Sequence, residues 1–273
     1  MSASTDPAAP IRRLTVGDIA KLYADGRRIP MLTAYDYPTA KLVDEAGVPL
    51  ILVGDSLGRV MLGYENEIPV SMADMLHHTA AVTRGARRAF VVGDMPFLSY
   101  QVSVEEGIRN AGRFLKEGGA HAVKLEGPQL ELTHRLVEIG IPVMGHVGLT
   151  PQSVHGMGGY KVQGRGEEAA RRLVDQAHAI EKVGAFSIVL EGMPAELGHE
   201  ITTSVGVPTI GIGAGPHCDA QVLVINDLLG LASRIPRFAK TYANLRESIG
   251  GAARAFAADV RTGSFPDEEH TYR

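Results

Sequence analysis

Eight short apolar runs of β type recur along the chain, and longer stretches with helical spacing lie between most of them. In order they read IPMLTAYD, LILVGDSL, AFVVGDMPF, AVKLEG, PVMGHVGL, FSIVLEG, PTIGIGAG and VLVINDLLG. Near-continuous apolar runs mark strands covered on both faces, and joining such strands in parallel takes crossover segments of about a dozen residues or more. The connecting sequences fit that demand. YPTAKLVDEAG, SVEEGIRNAGRFLKEGGA, QLELTHRLVEIG, GEEAARRLVDQAHAIEKVGA and MPAELGHEITTSVG are helical in pattern, and several close on a glycine suited to a helix end. Eight such units close a ring, so the pattern predicts an α/β chain folded as a TIM (β/α)8 barrel. A doubly wound sheet would more often show five or six strands and one glycine-rich first turn, which this chain lacks.

The flanks add a short N-terminal helix and a C-terminal helical extension. TVGDIAKLYADG offers Thr15 as N-cap and stops at Gly26, whereas residues 1–13 read as a disordered lead-in. After INDLLG, Pro236 is followed by FAKTYANLRESIGGAARAFAADVRTG, helical in pattern until Gly263 and destined either for the barrel surface or for a subunit contact. With no internal repeat and no low-complexity linker, residues 14–273 read as one domain.

Charge and cysteine usage exclude several classes of partner. A net charge of -4 and a pI near 6.2 leave no general basic field, so nucleic acid is not an expected partner. Cys218 is alone, which rules out an intrachain disulfide and a CxxC zinc site. No segment reaches the roughly 18 uninterrupted apolar residues of a membrane span, and MSASTDPAAP has no apolar signal core. A cytoplasmic location without membrane attachment is the expectation.

In a barrel the chemistry gathers at the C-terminal ends of the strands. The first run ends at Tyr35 and Asp36, the second at Asp55 and Ser56, the third at Asp94, the fourth at Lys124 and Glu126, the fifth at His146, the sixth at Glu191. Each acid taken alone could be a helix cap or a turn residue. Six successive strands offering ionisable groups to one cavity are harder to explain that way. Clustered carboxylates stay ionised only beside a compensating cation, and an oxygen-rich set favours Mg²⁺ over Zn²⁺. Asp55 and Asp94, in matching VGD contexts, are the expected direct ligands, with Glu126 next, through water. A cation so held has open positions for a 2-oxo acid, whose carbon beside the carbonyl becomes more acidic. Proton abstraction α to a carbonyl is the reaction class reached from these residues, with Lys124 stabilising the enolate.

Two roles stay open at this level. Glu191, after an apolar run, is either a desolvated base or a cap for the next helix; His146 is either a site residue or a satisfied core histidine. The glycines of GIGAGPHCD could serve a ligand or a tight barrel turn. LTPQSVHGMGGYKVQGRGEE, residues 149–168, is a long loop that reads either as a lid, the favoured reading, or as plain surface.

The motifs TAYDYPTAKLVDEAG, VGDSLG, HHTAAVTRGA, DMPF, VKLEG, GHVGLTPQSV, GGYKVQGRG, IGIGAG and PDEEH, in this order, closely resemble the ketopantoate hydroxymethyltransferase family from about Leu14 to His270. That family sits in the phosphoenolpyruvate and pyruvate grouping of TIM barrels. The resemblance implies transfer of the one-carbon unit of 5,10-methylenetetrahydrofolate to 3-methyl-2-oxobutanoate, the first committed step of pantothenate synthesis. It further implies Mg²⁺ on Asp55 and Asp94 with Glu126 completing the site, the 2-oxo acid held by Asp55, Ser56, Asp94 and Lys124, Glu191 as proton acceptor, and His146 donating a hydrogen bond near the substrate. A homo-oligomer, decameric in many bacteria, is implied as well. No departure occurs at these positions. A lyase or mutase of the same grouping would lack GGYKVQGRG, and a silent scaffold would have no reason to keep Asp55, Asp94, Lys124, Glu126 and Glu191 together.

Overall fold

The computed structural model of the chain describes residues 12–232 and 234–272. The lead-in expected over residues 1–13 lies outside them except for Arg12 and Arg13. Two compact units divide the chain, Met1–Val224 and Ile225–Arg273. The first opens with α1 (Val16–Ala24) and continues as β1 (Ile29–Thr33), α2 (Tyr37–Glu45), β2 (Leu50–Val53), α3 (Leu57–Val60), α4 (Met72–Gly85), β3 (Phe90–Asp94), α5 (Val104–Lys116), β4 (Ala122–Lys124), α6 (Leu130–Glu138), β5 (Val143–Gly148), α7 (Glu167–Lys182), β6 (Ser187–Glu191), α8 (Ala195–Ser204), β7 (Thr209–Ile212) and β8 (Ala220–Leu223). Each strand pairs in parallel with the next, and β8 returns to β1. The fold is the predicted TIM barrel.

Local chemistry sets the helix starts. Thr15 and Asp18 form a reciprocal capping box, with the Thr15 N–H donating to Asp18 Oδ2 at 2.8 Å. Ser71 and Asp74 do the same at α4. Such caps contribute about 1 kcal/mol each. Asp36, one of the strand-end acids, is spent this way: its carboxylate accepts the Thr39 N–H at 2.8 Å and starts α2. The plain capping reading holds for that residue.

The period-2 alternation of a strand decides what lines the barrel. Ile29, Met31, Leu50, Leu52, Phe90, Val92, Ala122, Met144, Val189 and Ile210 form one buried cluster, joined by Ile19 of α1. Two residues beyond Val92, Ala122, Met144 and Val189 stand Asp94, Lys124, His146 and Glu191. The strand pleat therefore carries those four onto the interior face, one layer nearer the C-terminal rim. The intervening positions face the helices. A Cβ at Gly93 would collide with Phe114 of α5, and one at Gly145 with Ile180 of α7. Glycine at both lets a helix press directly on the strand beside an inward polar group.

Two boundaries differ from expectation. The last strand is Ala220–Leu223, earlier than the run VLVINDLLG, whose later residues form α9 (Ile225–Leu228). No helix separates β7 from β8 among the described residues. Gly213 and Gly215 take positive φ there and Pro216 follows, which interrupts helical hydrogen bonding. In the second unit, α10 (Leu245–Thr262) starts seven residues later than Phe238, where the helical pattern begins. The Asn244 side chain caps it by accepting the Glu247 N–H at 3.3 Å, and Gly263, left-handed at φ 73, ends it.

Candidate active site

At the strand ends Lys124 is the hub. Its Nζ lies 2.9 Å from Asp94 Oδ1, 3.6 Å from Glu126 Oε1 and 3.2 Å from His146 Nδ1. Parallel pairing sets Asp94 directly opposite Lys124 on the neighbouring strand. Asp55, in the turn after β2, joins through its backbone, whose N–H donates to Asp94 Oδ2 at 3.1 Å. All five groups are buried. Ser56 stands at the edge of the cluster, 2.9 Å from the buried Tyr35 hydroxyl. The sequence-derived residues thus converge on one site, apart from Asp36.

Burial governs the charges. Desolvation pushes Asp94 up to about 8 and Glu126 well above the carboxylate range; Lys124 opposes both shifts, while the neighbouring carboxylates reinforce them. Burial also works against the Lys124 ammonium, yet Asp94, Glu126 and Asp55 outweigh it and the net shift is upward. His146 is driven well below its ordinary value by desolvation and by Lys124, so its imidazole is neutral. One ammonium thus stands among three carboxylates, Asp55, Asp94 and Glu126.

Glu191 faces this group from the far side of His146, with its Oε2 3.4 Å from His146 Nε2. Its side chain keeps 17% exposure, enough for a small molecule to reach it. Desolvation raises it to about 7, against the pull of Lys124 and Arg59. A carboxylate poised at neutral pH is suited to take a proton. Glu191 and His146 therefore stand side by side at the strand ends.

The donor set fits a hard divalent cation. Glu126 Oε1 is buried with no hydrogen-bond partner, and Lys124 is the ammonium set among the carboxylates. Among the described residues no three histidine, cysteine or carboxylate side chains gather closely enough to hold a metal by themselves.

Sequence reasoning missed five residues. Gln152, in the 3-10 turn Pro151–Ser153 after β5, reaches both Asp55 and Glu126, and the Tyr100 hydroxyl accepts the Glu126 N–H at 3.1 Å. Further along the same loop, the Tyr160 hydroxyl donates to the buried Glu67 at 2.5 Å, and Arg59 lies 3.7 Å from Glu67 and 4.9 Å from the Tyr160 ring centre. The loop returns by the Gln163 N–H, which donates to the Gly192 carbonyl at 2.8 Å, next to Glu191. β2 and β5 stand three positions apart in the ring, so this loop crosses the barrel mouth. The only signal in the sequence was the polar content of GHVGLTPQSV and GGYKVQGRG.

The model of the ketopantoate hydroxymethyltransferase family matches residues 13–268. A 3-methyl-2-oxobutanoate hydroxymethyltransferase of Syntrophus aciditrophicus (strain SB) is 56% identical over 264 residues, covering 96% of this chain and 97% of the relative. Among solved structures, a phosphonopyruvate hydrolase in complex with oxalate and Mg++ is 14% identical with a TM-score of 0.61, over 94% of this chain and 93% of that one. A 2,3-dimethylmalate lyase of the PEP mutase/isocitrate lyase superfamily is 17% identical, also with a TM-score of 0.61, over 94% and 92%. The two solved structures share the fold. With the family pattern and high identity both running nearly end to end, the chain belongs to the ketopantoate hydroxymethyltransferase family and is by class a hydroxymethyl-transferring enzyme.

Proposed function

We propose that the chain transfers the one-carbon unit of 5,10-methylenetetrahydrofolate to C3 of 3-methyl-2-oxobutanoate, with water supplying the hydroxyl oxygen, to give 2-dehydropantoate and tetrahydrofolate. The observation that carries this reading is Glu191, raised to about 7 and set across His146 from the Lys124 cluster. A 2-oxo acid seated between them has its carbonyl and carboxylate toward Lys124 and Ser56 and its C3–H toward Glu191. Glu191 takes the C3 proton. The electron pair shifts onto the keto oxygen, where the Lys124 ammonium and an N–H of His146 stabilise the charge. Water adds to the methylene carbon of the folate as its bonds to the two folate nitrogens break, which releases tetrahydrofolate and leaves the one-carbon unit at the formaldehyde level. The C3 carbon attacks that carbon, and its oxygen takes the proton held by Glu191 to become the new hydroxyl, while the buried strand ends keep bulk water from the carbanion.

Asp55 and Asp94 would hold a divalent cation, Mg²⁺, with Glu126 completing its site. When bound, it supplies Lewis acidity at the keto and carboxylate oxygens and the charge the acids lack. The place of the reaction in pantothenate synthesis, a cytoplasmic location and a homo-oligomer belong to the same reading. No helix among the described residues is long and apolar enough to cross a membrane. The apolar Ile249, Phe256 and Val260, exposed on α10, support a subunit contact. Light scattering and cell fractionation check those two points.

One assay tests the core. Product should form from 3-methyl-2-oxobutanoate only when both the folate and Mg²⁺ are present, and EDTA should abolish it until Mg²⁺ is restored. Unchanged turnover in EDTA overturns the cation role, and turnover without the folate overturns the donor.

A further inference from the structure

Gln152 is the most completely bonded polar side chain near the site. It is 3% exposed. Its backbone N–H donates to Glu126 Oε2 at 3.0 Å. The side-chain Nε2 donates to Asp55 Oδ2 and to the Met95 carbonyl, each at 2.9 Å. Oε1 accepts from the Tyr100 hydroxyl at 2.7 Å and from Gln101 Nε2 at 3.1 Å. An amide side chain has two donors and two acceptor sites, and here all four are used. Because the Tyr100 hydroxyl already accepts the Glu126 N–H, its one proton is left for Gln152 Oε1. That fixes which end of the amide meets Asp55.

We propose that Gln152 is a positioning residue for the cation site: it clamps Asp55 and Glu126, from strands on either side of β3, so that one oxygen of each is held and the other is left to serve a divalent ion. The proposal rests on the reading of Asp55, Asp94 and Glu126 as the cation site. Two points carry it. Glu126 Oε2 is bonded while Oε1 has no hydrogen-bond partner, so the clamp selects the oxygen that remains for coordination. The clamp is neutral. Three carboxylates against the single Lys124 ammonium leave two negative charges, matched to a divalent cation; a second basic side chain at residue 152 would cancel part of that match.

The test titrates Mn²⁺ alone into the folded protein and follows free Mn²⁺ by electron paramagnetic resonance. Gln152→Met keeps the length of the side chain and removes both amide groups. Its Mn²⁺ affinity should fall about 10–100-fold, the range typical of groups that orient metal ligands. The Mg²⁺ concentration needed for activity should rise in parallel, with excess Mg²⁺ recovering most of the lost turnover, a rescue that a merely structural defect would not show. Mn²⁺ affinity within twofold of wild type, or lost turnover that excess Mg²⁺ does not recover, overturns the clamp. Should Gln152→Met lack a cooperative melt, Tyr100→Phe decides: it releases the amide from its anchor and should weaken Mn²⁺ several-fold, and unchanged affinity overturns the proposal. A wild-type protein that binds no Mn²⁺ overturns the cation reading itself, an outcome distinct from equal binding by wild type and variant.

Discussion

Glu191→Gln should lower turnover by about 10²–10⁴-fold and stop the washout of deuterium from C3 of 3-methyl-2-oxobutanoate into water in the presence of Mg²⁺. Glutamine fills the same space beside His146 but accepts no proton at neutral pH, so the loss falls on the chemical step, with Mg²⁺ binding largely intact. Exchange at the wild-type rate in the variant removes Glu191 as the base. The pH dependence has a defined sign. The wild-type carboxylate must be ionised to act, so exchange should rise with pH and level off above about 7, where Glu191 titrates. Stability runs the other way. The folded value lies above the unfolded one, so the group's contribution is fully present below the unfolded pKa and is lost as pH rises through about 7. Glu191→Gln should therefore match wild type near pH 4 and exceed it at pH 8, by up to about 3 kcal/mol, read from denaturant midpoints. A variant less stable than wild type at pH 8 would contradict that assignment.

Lys124→Met should cost both activity and stability. Among the described residues the ammonium is the one side-chain cation paired with Asp94 and Glu126, and removing one partner of a buried ion pair costs about 3–5 kcal/mol. For a chain of this size that lowers the melting temperature by roughly 10 °C. The deficit should be larger at pH 8 than at pH 5, because at the lower pH Asp94, raised to about 8, already holds a proton and needs no counter-charge. Turnover should fall by about 10²–10³-fold, the scale for losing one group that stabilises a developing oxyanion. Lys124→Arg should not restore it. The planar guanidinium does not fit a pocket bounded at 2.9 Å by Asp94 and at 3.2 Å by His146. A Lys124→Met protein that melts with wild type at pH 8 would show that the carboxylates are neutralised some other way.

Much of this architecture was legible in the chain. Apolar runs such as LILV and SIVL, read with the helices between them, led to the barrel, and the residues terminating those runs led to Asp55, Asp94, Lys124, Glu126, His146 and Glu191. Both readings use local information: an apolar run reports burial on two faces, and period-2 alternation passes that burial on to the polar residue that follows. Where local information is ambiguous the outcome was mixed. Asp36 and Asp94 both end strands, yet only Asp94 continues the inward parity, whereas Asp36 bends away to cap α2. The start of α10 was misplaced because the residues after Pro236 have helical spacing without a cap until Asn244.

By itself the sequence determined the ring of parallel strands, the face each strand turns inward and the ionisable groups at the rim, since each depends on spacing along a single segment. Only the tertiary structure decided that Gln152 and Tyr100 grip Asp55 and Glu126, and that Tyr160 meets Glu67 and Arg59 over the mouth. Those contacts join residues at least 26 positions apart. They come from loops whose sequence has no periodicity, and such loops take their path from the surfaces they cross once the barrel has closed.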